Sequence, residues 1–370
     1  MSVVRATVSC PVHDSFRVQQ VAGMFDVPIE RRASSSFEVE VPDATEDWQI
    51  GLIVGPSGSG KSTIVRQAFG ERVWRERDWP ADRAVVDCFG ELGARQITGL
   101  LTAVGFSSPP AWIKPYSVLS GGEKFRCDLA RAMASAMQSG GEAETNTVAA
   151  PIVAFDEFTS VVDRNVAQIG SAAVSKSIRE GHIACRFVAV TCHYDVAEWL
   201  EPDWVVDMAQ RTCQRRRLRR PAIELELYRT KHRLWRVFAP HHYLSGALSG
   251  LARCYAAWWK GSPISFCATL PVIGRKGHWR ISRIVTLPDF QGVGIGMRVA
   301  EAVCDLHRAQ GHRINVTASH PALIAHCGKS PLWRTARVLK HGSGNTARFV
   351  HNYRGSSGRA VVSFEYTGSS

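Results

Sequence analysis

The 370-residue chain has no apolar run approaching the ~18 residues that a membrane-crossing helix needs. The nearest approach, Gly246 to Trp259, is broken by Arg253. Met1 to Cys10 has no charged-then-apolar leader pattern, so a soluble, cytoplasmic protein without a membrane partner is expected. None of the ten cysteines forms a C-x-x-C pair, and no histidine cluster completes a zinc spacing. Scattered thiols of this kind argue against a disulfide scaffold and fit a reducing compartment. Internal repeats and extended low-complexity tracts are also missing. Acidic residues are scarce in one half only. Up to residue 210, 19 Lys and Arg face 27 Asp and Glu; from residue 211 onward, 26 face 6. The second half therefore carries an excess of 20 positive charges, which points to a polyanionic partner.

What is present begins with Gly55-Pro56-Ser57-Gly58-Ser59-Gly60-Lys61-Ser62-Thr63, set between the apolar run Ile50 to Val54 and a helix expected over Thr63 to Phe69. This is a phosphate-binding loop. Its glycines allow a turn tight enough for several backbone N–H groups to face one anion, and the helix N-terminus adds partial positive charge. Lys61 is expected to reach the β- and γ-phosphates of ATP, and the Ser62 hydroxyl to ligate Mg2+.

Further on, Ile152 to Phe155 reads as a buried strand ending in Asp156-Glu157. Asp156 at the strand tip can hold the Mg2+ shell, and Glu157 can orient or deprotonate the water that attacks the γ-phosphate. Between loop and strand lies Leu119-Ser120-Gly121-Gly122-Glu123, followed by Arg126 and a helical run from Cys127 to Met137. In this order the motifs resemble those of the ABC ATPases, over roughly residues 15 to 210. The resemblance implies that Leu119 to Glu123 is the signature, Ser160 to Asp163 the D-loop and His193 the switch histidine. It also implies a homodimer through the ATPase domains, because one chain carries a single phosphate loop and a single signature. Lys61 and Ser120 are close in sequence, which makes coupling to a membrane transporter doubtful. Gln96 is a weak candidate for the Q-loop, and Phe25 and Trp48 are candidates for stacking on adenine. Ser139 to Thr147 is expected to be a surface insertion.

The second half carries different chemistry. Arg280 to Leu287 alternates as a strand, Pro288-Asp289-Phe290 breaks it, and Gln291-Gly292-Val293-Gly294-Ile295-Gly296 opens a helix expected over Met297 to Arg308, with another strand at Ile314 to Thr317. Glycines at a helix N-terminus expose N–H groups suited to a diphosphate, and a dinucleotide fold would use a related pattern. The segment resembles motif A of the GNAT acyltransferases, most densely over Ser262 to Ser319. That resemblance implies that Gln291 to Gly296 bind acyl-CoA, with acetyl-CoA the expected form. The overall fold expectation is α/β: a P-loop ABC ATPase domain over 1–210, a basic linker over 211–220, and a GNAT-fold domain with a mixed sheet over 221–370.

Arg215, Arg216, Arg217, Arg219 and Arg220, with Arg211, crowd the expected linker and are candidates for phosphate-backbone contact, with a solvated linker as the alternative. His241, His242 and Tyr243, and Trp258-Trp259-Lys260, could line a base pocket. His320, His326, Ser330 and Tyr353 are candidate proton handlers, and His241, His242, Tyr243 and His320 the favoured acyl-transfer candidates. His241 to Ser245, the basic strand and Gln291 to Gly296 also resemble the Mom-type branch of the GNAT fold, whose members modify adenine in phage DNA. The expected partner is thus nucleic acid, DNA favoured over RNA. Two alternatives stand beside base modification of DNA: an ATP-dependent RNA acyltransferase, and a non-catalytic ATP-gated DNA clamp.

Overall fold

A computed structural model describes residues 2–11, 13–26, 32–75, 78–139, 150–215, 220–242, 247–340 and 360–368. In chain order the elements are β1 (Ser2–Pro11), α1 (Phe16–Phe25), β2 (Arg32–Val41), β3 (Ile50–Val54), α2 (Lys61–Phe69), α3 (Ala94–Ala103), α4 (Pro109–Trp112) and α5 (Gly121–Ser139). They continue with β4 (Ile152–Phe155), α6 (Arg164–Arg179), β5 (Arg186–Thr191), α7 (Val196–Leu200), β6 (Trp204–Asp207), β7 (Thr212–Arg215), β8 (Glu226–Thr230) and α8 (Trp235–Phe238). Last come β9 (Arg253–Trp259), β10 (Ser262–Pro271), β11 (His278–Thr286), α9 (Ile295–Ala309), β12 (Arg313–Ala318), α10 (Pro321–Lys329), β13 (Trp333–Leu339) and β14 (Val361–Tyr366). The expected insertion lies largely outside the described residues, as do Arg216, Arg217, Arg219, Tyr243 and Tyr353.

The chain forms two compact units. The first comprises 1–77, 128–163 and 177–220; the second comprises 78–127, 164–176 and 221–370. The segment carrying the signature thus groups with the basic half rather than with the phosphate loop.

The first unit is built on a five-stranded sheet of order β4-β5-β3-β6-β7, parallel except for β7. Strands β3, β4 and β5 are buried along their whole length, which is why they read as continuous apolar runs rather than alternating ones. Gly51 allows the Trp204 indole to lie on β3: a Cβ there would come within 2.0 Å of the ring. The ten-residue ladder of β1 and β2 contributes Val4, Ala6, Val39 and Val41 to the same core. Residues 212–215, expected in a linker, instead pair with β6, and Arg215 makes an ion pair with Glu46.

The second unit centres on a seven-stranded sheet of order β13-β14-β12-β11-β10-β9-β8, in which only β11 and β12 run parallel. The parallel crossover is made by α9, whose buried residues Ile295, Val299, Val303 and Cys304 recur at helical spacing on one stripe. On the other side, Trp235, Phe238, Phe266 and Val285 form a core cluster. From Arg253 to Trp259 the chain forms β9, paired with β8 and β10, whose small and aromatic side chains are mostly buried on both faces.

Candidate functional site

In the first unit, parallel register brings the ends of β3, β4 and β5 to one edge: Val54 pairs with Thr191 and Phe155 with Ala189. The phosphate loop, Asp156-Glu157 and His193 follow those three ends. A crevice outside the carboxyl ends of parallel strands is where α/β sheets bind ligands. Gly58 (φ 78°) and Gly60 (φ 84°) adopt the left-handed backbone that the loop requires, and Gly60 caps α2. A Cβ on Gly60 would also strike the Phe37 ring at 2.6 Å. The helix starts at Lys61, two residues earlier than expected. Lys61 is buried and its Nζ donates to the carbonyls of Gly55 and Pro56, both at 2.9 Å.

Glu157 (φ 55°) and Thr159 (φ 67°) hold left-handed backbone without being glycine, a strain of about 1–3 kcal/mol each. The turn aims Glu157 outward, its carboxylate accepting from Ser160 Oγ at 2.6 Å, while Asp156 accepts from the Glu157 N–H at 3.0 Å. His193 is half-buried, and its N–H donates to Thr191 Oγ1 at 3.2 Å. The two candidates for adenine stacking differ in burial. Trp48 is a core residue, edge-on to Trp204 and covered by the Arg186 guanidinium, so it offers no face for stacking. Phe25 is exposed at the end of α1.

In the second unit, Ser120 precedes α5 and forms a capping box with Glu123. The Glu123 carboxylate accepts from the Ser120 N–H at 2.9 Å, and Ser120 Oγ accepts from the Glu123 N–H at 3.3 Å. Leu119 is buried, anchoring the turn, and Ser120 and Gly121 are exposed at the positive end of a 19-residue helix. Gln96, the Q-loop candidate, caps α3: its Oε1 accepts from the Gly93 N–H at 3.0 Å.

The loop Gln291 to Gly296 joins β11 to α9. Strand β11 pairs with β12 only from His278 to Ile281, against Arg313 to Val316, and then continues alone on that side to Thr286. Two parallel strands that stop pairing before their carboxyl ends can open a slot between them, and α9 begins on the chain leaving that end of β11. Gly294 (φ 94°) caps α9, Gly292 has φ 90°, and a Cβ on Gly296 would come within 2.9 Å of Thr286 Oγ1. Lys176 of α6, which sequence reasoning passed over, places its Nζ 3.5 Å from the position of a Cβ on Gly294. A cation at the positive end of a helix is repelled unless an anion joins them. Val293 and Ile295 complete the loop, Ile295 buried beneath it.

His320 follows β12, where the strands have parted, as the N-cap of α10; burial pulls its imidazole below the ordinary histidine range, so it is neutral near pH 7. His241 is half-buried, and burial pulls it down too, against the carboxylates of Glu123 and Asp289. His242 is buried against the Trp235 ring. His326 instead donates through Nε2 to the carboxylate of buried Glu301 at 2.8 Å, which also accepts from Trp333 Nε1 at 3.1 Å, so it is part of a packed polar cluster. Trp259 is buried edge-on to Phe290 with Lys260 over its face, leaving no open ring for a base. Arg220 donates its backbone N–H to Glu201. Among the described residues no helix is long and apolar enough to cross a membrane, and no group of three or more His, Cys, Asp or Glu could hold a metal.

No curated protein matches the chain. Solved structures similar to it include the ribosomal-protein-S18-alanine N-acetyltransferase of Escherichia coli, 14% identical over 39% of this chain and 93% of that one, with a TM-score of 0.30. A GNAT acetyltransferase of Elizabethkingia anophelis with acetyl-CoA bound is 11% identical over 38% of this chain and 97% of its own, with a TM-score of 0.29. A dimeric ATP-binding cassette in a post-hydrolysis state with ADP and Pi is 15% identical over 59% of this chain and 99% of its own, with a TM-score of 0.38. The model of the acetyltransferase (GNAT) family matches residues 194–326, and the chain therefore holds a GNAT acetyltransferase domain.

Proposed function

We propose that the protein is an ATP-hydrolysing acyltransferase that modifies bases in nucleic acid, with DNA as the substrate. The observation that carries the acyl-transfer reading is the slot between β11 and β12, mouthed by the glycine loop at the α9 N-terminus. The residues fit a diphosphate. Gln291, Gly292, Val293, Gly294, Ile295 and Gly296 supply the loop, the left-handed glycines clear its surface, and Lys176 brings an ammonium beside it. Acyl-CoA, or acetyl-CoA in its simplest form, supplies an acyl group activated as a thioester. His320, neutral at physiological pH, takes the proton from the attacking amine of the base as the thioester C–S bond breaks, and that proton goes on to the departing CoA thiolate, which leaves as the free thiol; His241, His242 and Tyr243 are the further acyl-transfer candidates.

The nucleotide site is supported in the same way. Gly55, Pro56, Ser57, Gly58, Ser59, Gly60, Ser62 and Thr63 wrap the phosphates of ATP, and the Lys61 ammonium, now donating to two loop carbonyls, turns to the β- and γ-phosphates. Ser59 Oγ is buried with no hydrogen-bond partner among the described residues, as expected of a group awaiting a ligand. Ser62 and Asp156 would hold Mg2+, whose charge would offset that of the phosphates. Glu157, aimed by its strained turn, orients the water, and His193 faces the γ-phosphate. The signature Leu119 to Glu123, exposed at Ser120 and Gly121, completes the site of a second copy, giving a homodimer.

The excess of 20 positive charges over residues 211–370 supports a nucleic-acid acceptor, whose phosphates Arg215, Arg216, Arg217, Arg219 and Arg220 are the sequence's candidates to contact. A finer placement with the Mom-type enzymes of phage DNA modification rests on the motifs His241 to Ser245 and Gln291 to Gly296. The test is nucleoside mass analysis of DNA and RNA from expressing cells: an acylated deoxynucleoside is expected, an acylated ribonucleoside would move the substrate to RNA, and neither would refute base modification.

A further inference from the structure

Four contacts tie the acyl-donor loop to the segment that carries the signature. Arg126, one turn into α5, is fully buried and donates through Nη1 to the Gly122 carbonyl at 3.2 Å and to Asp289 Oδ1 at 3.3 Å. Gly122 belongs to the signature, and Asp289 lies in the turn that delivers the chain into the donor loop. The Gln291 side chain bridges the same two regions: Oε1 accepts from the Ser107 N–H at 2.6 Å, and Nε2 donates to the Thr286 carbonyl at 2.8 Å. Below it the backbones abut. A Cβ on Gly105 (φ 85°) would come within 2.9 Å of the Gln291 carbonyl, and one on Gly292 within 2.7 Å of both Gly105 Cα and Ala173 Cβ. Close-packed contacts of this kind cannot stretch gradually, so a shift at one end must be taken up at the other.

We propose that the donor loop and the signature are one coupled device, in which nucleotide bound against the signature tightens acyl-donor binding through Arg126 as positioning residue. The proposal rests on the acyl-donor reading given above. An anion engaged by Ser120 to Gly122 fixes the first turn of α5, including the carbonyl that Arg126 holds. A donor loop anchored to a fixed turn pays less ordering entropy when it closes on its ligand. By linkage, donor must tighten nucleotide by the same factor.

The experiment is calorimetric titration of CoA into full-length Glu157→Gln protein, with and without saturating ATP and Mg2+. ATP should lower the CoA Kd by about fivefold or more, the usual lower bound of such couplings. Ser120→Arg, which leaves the phosphate loop intact, and Asp289→Ala, which removes the acceptor that Arg126 holds, should each bind CoA without ATP and lose the response to ATP. A Kd that ATP leaves unchanged or raises overturns the coupling and leaves the donor site standing. Failure of CoA to bind under either condition overturns the donor site and the coupling together.

Discussion

Gly292 and Gly294 have nearly the same left-handed φ, 90° and 94°, but different neighbours, which makes them a matched pair. Replacing either by alanine costs about 1–2 kcal/mol for holding an L-residue in that backbone. At Gly294 the added methyl meets only the tip of Lys176 at 3.5 Å, an ordinary contact with a flexible side chain. At Gly292 it meets the Gly105 backbone and Ala173 Cβ, both at 2.7 Å, and neither can swing away. Overpacking of that kind costs a further ~1–3 kcal/mol. Gly292→Ala should therefore be less stable than Gly294→Ala by about 1–3 kcal/mol, with the backbone cost cancelling in the difference. Urea denaturation of both variants, followed by tryptophan fluorescence, measures it. Equal losses would refute the packing of residues 105 and 173 against the donor loop.

Glu157→Gln should trap an ATP-bound homodimer with little hydrolysis, and Lys61→Ala should abolish nucleotide binding; a monomeric Glu157→Gln protein at saturating ATP would contradict the first arm in size-exclusion light scattering. Lys176→Ala should weaken CoA binding about tenfold while leaving acetyl-pantetheine, which lacks the diphosphate, unchanged, and equal losses for both would remove Lys176 from the diphosphate site. Burial lowers His307 from 6.5 to about 4, where its Nε2 faces Thr269 Oγ1 at 3.0 Å. The unfolded chain thus takes up a proton that the folded chain refuses, so stability falls as pH drops from about 6.5 toward 4, by at most ~3 kcal/mol. His307→Gln should flatten that slope in denaturation midpoints. Nucleic-acid binding by the full chain should fall steeply with salt, since each neutralised phosphate releases counterions, and a flat salt profile would deny phosphate contact.

The parts legible in sequence were those whose geometry is local. The phosphate loop is written in glycines at fixed offsets because only they adopt φ near +80° between a strand and a helix. The signature is legible as a Ser-x-x-Glu capping box, and the α9 loop as glycines before an amphipathic run. Contacts between residues far apart were not legible. Arg126 and Asp289 are separated by 163 positions, and nothing at either site announces the other. Lys176 lies on a helix whose pattern explains only its buried stripe, so its place beside Gly294 follows from packing alone. Aromatic side chains misled for a related reason: Trp48 and Trp259 have the chemistry of binding groups, and burial uses it up. The edge strand β7 was hidden because a run of arginines reads as solvated chain, although Thr212 to Arg215 needs only a free strand edge on β6.

The central claim, that Gln291 to Gly296 hold an acyl donor for transfer to nucleic acid, is tested most directly by nucleoside mass analysis of cells expressing wild-type protein or Gly294→Asp. The aspartate would set a carboxylate against the donor's diphosphate and beside Lys176, cancelling that ammonium. The expected result is a nucleoside carrying an acyl mass increment in the wild type and none in the variant. Undiminished modification by Gly294→Asp, or no modified nucleoside in DNA or RNA from the wild type, would contradict it.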